Sequence, residues 1–236
     1  MILHSISTGT GEPIILLHQG LQTGDTDFQE QREAFSKVYQ VIQVDLRGHG
    51  KSVTNDFDDY FEKSAVDLSE TLNYLEIEKA HIVGSSLGSL VGLVFAKRFP
   101  NKVKSLVITG IFPEQPENWD QLLAEQTAVQ NKVIEEKETV DYLNTIHQGD
   151  WVGLLKFSQQ NNWYPFEETK DLSSLSMPTL FLVGEENPAE VIGAMIYPKQ
   201  NKNIHVAVIP FAGHLPQWQQ PEIFNSILEK FLQYTK

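Results

Sequence analysis

The 236-residue chain predicts an α/β fold, a mostly parallel twisted sheet with helices on both faces. Three observations predict it. Short apolar runs alternate with helix-like segments along most of the chain. The runs are near-continuous in apolar residues, as strands covered on both faces should be. The alternation stops between about residues 112 and 176 and then resumes, as expected of an insertion lying over a sheet.

Strands are expected at residues 2–6, 13–18, 41–45, 81–84, 105–109, 179–183 and 204–209. Ala65, Leu68, Leu72 and Leu75 recur at helical spacing, as do Leu87, Leu90, Val91, Val94 and Phe95. Pro221 opens a last helix, where Ile223, Ile227 and Phe231 run beside Phe224, Leu228 and Leu232. Proline suits a first helical position because its missing N–H has no partner there anyway. The stretch 112–176 reads as consecutive helices rich in Gln and Glu. Residues 1–111 and 177–236 then form the core, and 112–176 a helical cap. Trp119, Trp151, Trp163 and Tyr164 in that stretch suit either an apolar acyl or aromatic substrate group or the docking of the cap on the sheet.

Bulk composition narrows the function. Hydrophobic residues make up 41% of the chain, enough for one full core. The 31 acidic and 18 basic residues give a formal net charge of -13. Such a surface repels phosphate backbones and anionic lipid, so no nucleic-acid or membrane partner is expected. There is no cysteine, which excludes disulfides and thiolate chemistry. No run approaches the ~18 apolar residues of a membrane helix. The start resembles no signal peptide, and a soluble cytoplasmic protein is expected. The seven histidines show no ligand spacing, so no metal or cofactor is expected.

The chemistry centres on Gly84-Ser85-Ser86-Leu87-Gly88, a G-x-S-x-G pattern between an apolar strand and a helix. The turn leaves no room for side chains at its flanks. Ser86 is thrust above the strand ends, and the Leu87 N–H sits at a helix N-terminus, where it can hold an oxyanion. Ser85 occupies the x position. A serine needs a base, and His214 follows a late strand in the order serine, acid, histidine. His18-Gln19-Gly20-Leu21, after an early strand, can donate a second oxyanion N–H. Asp45 to Ser52 ends in Gly50-Lys51-Ser52, but a phosphate loop needs glycine at position 45. That loop reads instead as one pinned by Asp45 and Arg47.

These motifs together resemble the α/β-hydrolase family, of the kind with a compact helical cap. The resemblance extends over essentially the whole chain and implies a Ser86 nucleophile, a His214 base and a small acyl substrate. Only one strand precedes the one ending at His18, where the family often has two, so seven strands are expected. Two positions depart from the family pattern. Gln19 replaces the usual glycine after the histidine, leaving Gly20 or Leu21 as second oxyanion donor, with Gly20 preferred. The family's catalytic Asp falls three residues after the glycine closing the 179–183 strand, and here that position is Asn187. Three readings follow: Glu186 or Glu185 supplies the acid, Asn187 serves in a Ser-His-Asn triad, or the site binds ligand and turns over slowly. Glu114 or Glu117 is a further source of a carboxylate. Hydrolysis of a small carboxylic ester is the expected reaction. Carbon–carbon bond hydrolysis or a lyase reaction on the same framework is the alternative, since fold does not fix chemistry, and a ligand-binding protein with a weakened site is the other.

Overall fold

The computed structural model describes residues 1–235. Its elements run β1 (Ser5–Thr8), β2 (Glu12–Leu17), α1 (Gln29–Phe35), β3 (Tyr39–Val44), α2 (Tyr60–Tyr74), β4 (Ala80–Ser85), α3 (Leu87–Arg98) and β5 (Val103–Thr109). Four helices follow: α4 (Trp119–Glu135), α5 (Lys137–Ile146), α6 (Trp151–Phe157) and α7 (Phe166–Thr169). The chain then continues through β6 (Thr179–Gly184), α8 (Pro188–Val191), α9 (Gly193–Gln200), β7 (Ile204–Ile209), α10 (Pro216–Gln219) and α11 (Pro221–Tyr234).

The seven strands form one sheet in the order β1-β3-β2-β4-β5-β6-β7. Only β1 is antiparallel, pairing Ser5 with Val44 and Thr8 with Val41. The expected first strand begins three residues later than its apolar residues suggest. Ile2 is 46% exposed and Leu3 is buried in the core, so the start of the chain packs through one side chain before the ladder begins.

Successive strand residues point to opposite faces, which explains the unbroken apolar runs. Ile15 and Leu17 join one core with Ile82, Leu106 and Phe181, under α2 and α3. Ile14 and Leu16 join the other with Val83, Val107 and Leu182, under α1 and α11. Phe224, Leu228 and Leu232 of α11 lie at four-residue spacing and are fully buried, each stabilising the fold by about 1.5–3 kcal/mol.

Helices α4 to α7 lie between β5 and β6 and add no strand. They share the α2/α3 core: Trp119, Leu123, Leu154 and Tyr164 belong to the same apolar cluster as Ile108 and Phe181. A smaller cluster of Leu143, Trp151 and Leu155 packs the helices on one another. The four aromatic residues divide accordingly. Trp119 stacks edge-on against Phe166 and Tyr164 and Trp151 fills the small cluster, whereas Trp163 and Tyr164 line the cavity described below.

Candidate active site

Strand order reverses between β2 and β4. Loops leaving the C-terminal ends of these neighbours turn to opposite sides and leave a crevice, the usual ligand site of an open α/β sheet. The β2 end carries His18, Gln19 and Gly20, and the β4 end carries Ser86.

Ser86 sits on a strained backbone, with φ 50° and ψ −114°. A non-glycine residue there costs on the order of 1–3 kcal/mol and persists only where its surroundings impose it. Hydrogen bonds and the flanking glycines do so. The Ser86 N–H donates to Thr109 O at 2.9 Å. Ser89 Oγ donates toward Gly84 O and Thr109 O, and accepts from the Thr109 N–H. Side chains at the flanking glycines would collide with backbone: one at 84 with Gly88, one at 88 with the Leu17 carbonyl. The neighbouring Ser85 hydroxyl is buried and takes a hydrogen bond from Gln217 Nε2 at 2.7 Å, away from the crevice.

His214 reaches Ser86 from the loop after β7. Its Nε2 lies 2.9 Å from Ser86 Oγ, and its Nδ1 lies 2.6 Å from Glu190 Oε1. Glu190 is fully buried, whereas the His214 side chain is 44% exposed. Partial burial pushes the imidazole pKa down, but the hydrogen bond and charge of Glu190 together outweigh it and hold His214 above its usual value.

The carboxylate on the imidazole is therefore Glu190, not Asn187, Glu186 or Glu185. Glu185 and Glu186 N–H groups donate to Ile209 O and Ala212 O, which carries the β6–β7 pairing two residues past the strand. Both side chains point outward, and Glu185 Oε1 caps the Phe211 N–H at 2.7 Å. Asn187 then precedes α8, with Pro188 in its first turn, and one turn of that helix swings Glu190 inward. Asn187 lines the cavity but makes no hydrogen bond to His214. Glu190 is the only acidic residue between Asn187 and His214. An acid sought one helical turn past the usual position, in the same chain order, would have found it. Glu114 and Glu117 make no hydrogen bond or ion pair with His214.

Among the described residues, no protein group accepts from the Leu87 N–H at the start of α3 or from the Gly20 N–H. The Gln19 N–H is occupied, donating to Asp27 Oδ2 at 3.0 Å. Leu21 has φ 62°, and the turn is closed by Gln22 N–H to Gln19 O. Gly20, Leu21, Leu87, Ser86 and His214 all border one cavity of about 400 Å³. Its other walls are mostly apolar and aromatic, from Leu90, Phe112, Leu154, Phe157 and Trp163. Among the described residues, no Lys or Arg borders it. The loop from Asp45 to Ser52 is a structural support: Asp45 accepts from the N–H groups of Gly24 and Lys51, and Arg47 pairs with Asp67 at 3.3 Å. No group of three or more His, Cys, Asp or Glu among the described residues is placed to hold a metal. No helix among them is long and apolar enough to cross a membrane.

The α/β-hydrolase fold family model matches residues 12–147, more than half the chain. The chain belongs to that family. It is 28% identical to mouse (Mus musculus) serine hydrolase BPHL, over 98% of this chain and 83% of that protein. It is also 28% identical to a 2-hydroxy-6-oxononadienedioate/2-hydroxy-6-oxononatrienedioate hydrolase from Burkholderia vietnamiensis, over 98% and 90% of the two chains. Among solved structures, NosK from Streptomyces actuosus superposes with a TM-score of 0.82 at 25% identity, over 96% of this chain and 99% of that one.

Three further histidines stand beside the site. Burial holds His18, His49 and His147 below the ordinary histidine pKa. Below about pH 6.5 the unfolded chain takes up protons that these three refuse in the folded state, so stability must fall as pH falls. His214, raised, works in the opposite sense, one group against three. The melting temperature should drop by roughly 5 °C between pH 7 and pH 5.5, as scanning calorimetry can measure. A flat profile would mean that the three rings charge as readily folded as unfolded.

Proposed function

We propose that the chain is a serine hydrolase that cleaves a small, uncharged carboxylic ester or related acyl compound through an acyl-enzyme on Ser86. The observation that carries this reading is the hydrogen-bonded line from Ser86 Oγ through His214 to Glu190. Glu190 orients the ring, so that Nδ1 carries the proton and Nε2 is free to act as base. Ser86 attacks the carbonyl carbon as Nε2 takes its proton, and Glu190 stabilises the imidazolium. The Leu87 and Gly20 N–H groups hold the oxyanion. His214 then protonates the departing alcohol. Water attacks the acyl-enzyme with the same base, and the acid leaves. The helices between β5 and β6 act as a cap that supplies the far wall of the cavity.

The cavity wall favours a neutral substrate. The acidic side chain on its wall is Glu190, and among the described residues no Lys or Arg borders it to compensate a carboxylate that loses its water. This argues against a dioate of the kind named for the Burkholderia relative, and so against carbon–carbon cleavage of such a compound. It also suits product release, because the carboxylate formed is repelled. Glu190 fills the place that Asn187 leaves without charge, which removes the motive for reading the site as a weakened binding pocket.

Matched p-nitrophenyl esters test this, one series ending in methyl and the other in carboxylate. The methyl-ended esters should have a kcat/KM at least about 100-fold higher, from the cost of burying an unpaired charge. Equal rates would show that the substrate end is not taken into this cavity. A preference for the carboxylate would sink the neutral-substrate reading.

A further inference from the structure

Two buried histidines grip the loop that carries Gly20. His18 Nε2 accepts from the Leu46 N–H at 2.9 Å, and its Nδ1 lies 2.7 Å from Gln19 O. His147 Nδ1 accepts from the Gly50 N–H at 2.9 Å, and its Nε2 lies 3.1 Å from Leu21 O. A backbone N–H only donates, so the ring nitrogen facing it must be bare. The other nitrogen then carries the proton and donates to the carbonyl. Both rings are neutral, and they are opposite tautomers.

The carbonyls they hold bracket the oxyanion loop. Gln19 O and the Gly20 N–H belong to one planar peptide, so fixing one aims the other. Leu21 O belongs to the peptide two further on. His18 comes from the end of β2, within the core. His147 comes from the C-terminal end of α5, within the helical insertion, and its neighbour Gln148 donates to Gly50 O at 2.9 Å. His49 lies between the two rings, with centroids 4.8 Å from His18 and 5.7 Å from His147. The nearby carboxylates of Asp27 and Asp45 face this cluster but do not bond to either bridging ring. Asp27 accepts from the Gln19 and Phe28 N–H groups and Trp218 Nε1, and Asp45 from backbone N–H groups and His4.

Resting on the hydrolase reading above, we propose that His147 is a positioning residue through which the seating of the helical insertion sets the oxyanion hole. When the insertion is docked, the Nε2–H of His147 holds the Leu21 carbonyl and the Gly20 and Leu21 N–H groups stay aimed into the cavity. When it lifts, His18 alone steadies the loop through Gln19 O, the turn at Leu21 loosens, and the Gly20 N–H is aimed less well at the transition state while Ser86, His214 and Glu190 remain in place.

Three variants test this. His147→Leu removes both hydrogen bonds. His147→Gln places an amide N–H near the Nε2 position and keeps the link to Leu21. His147→Asn places an acceptor near the Nδ1 position and keeps only the link to Gly50. With p-nitrophenyl butyrate, His147→Leu should lose about 10- to 100-fold in kcat with KM within about threefold, less than the loss from deleting an oxyanion donor outright. His147→Gln should recover most of that loss and His147→Asn little of it. Amide resonances of Gly20 and Leu21 in ¹⁵N–¹H spectra should move in His147→Leu and return in His147→Gln. Rescue by Asn rather than Gln would make His147 a plain docking contact. An unchanged kcat in His147→Leu, or unmoved Gly20 and Leu21 resonances, would overturn the proposal. If a fluorophosphonate fails to label Ser86 in the wild type, the hydrolase reading falls instead, and the resonances alone decide the role of His147.

Discussion

Ser86→Ala should lose about 10⁵- to 10⁶-fold in kcat on a neutral ester and all labelling by a fluorophosphonate, while folding as the wild type does. The residual rate should still exceed that in water, because the Leu87 and Gly20 N–H groups remain to hold a developing oxyanion. The hydroxyl contributes one hydrogen bond, to the partly exposed His214, so its loss changes stability little. The backbone strain at φ 50° stays, since alanine tolerates that conformation no better than serine. Ser86→Gly separates the two effects. It should be equally inactive, yet more stable than Ser86→Ala by about 1 kcal/mol, because glycine relieves the strain at some cost in unfolded-chain entropy. Urea midpoints of the two variants provide the comparison. Wild-type activity in Ser86→Ala would place the nucleophile elsewhere and reduce the elbow to packing. No stability difference would mean that the observed backbone angle carries no strain.

What sequence reasoning reads well here, and what it misses, follows from how far each signal extends. The central strands are legible because both faces are buried, so their apolar runs are continuous and long enough to stand out. The elbow is legible because two glycines and a serine must occur at fixed local spacing. Edges are less legible. In β7, Val206 and Val208 are 41% and 46% exposed, though their sequence looks like that of an interior strand. Whether a strand lies at an edge depends on sheet order, which local sequence does not encode. Glu190 is not legible in the sequence for a related reason. Its approach to His214 depends on two extra residues of β6–β7 pairing and one turn of a four-residue helix, and neither leaves a periodic trace. His147 has no local signal either. A lone histidine at a helix end reads as solvated until the fold brings Gly50 and Leu21 to its two nitrogens.

Glu190→Gln should lower kcat by about 10³- to 10⁴-fold, the scale seen when the acid of a serine triad is replaced by its amide. The amide fails in either orientation. With its oxygen toward His214 it keeps the correct tautomer but offers no charge to the imidazolium. With its nitrogen toward His214 it donates to Nδ1 and forces the ring proton onto Nε2, where the base must be bare. The pH dependence gives a second signature. Glu190 is what raises the His214 pKa, against a burial effect that lowers it. Once the charge is gone, burial alone remains, so the acidic limb of kcat/KM should move to lower pH. Stability should fall by about 1–3 kcal/mol, because Oε2 is buried with no hydrogen-bond partner among the described residues and an amide N–H placed there would have no acceptor. Asn187→Asp and Glu186→Gln should each change kcat by less than about threefold, since neither side chain meets the imidazole. The sharpest contrast is between Glu190→Gln and Asn187→Asp. A loss in the first with no gain in the second assigns the acid to α8. A mild effect at Glu190, joined to a large gain from Asn187→Asp, would return it to the position where the family usually places it.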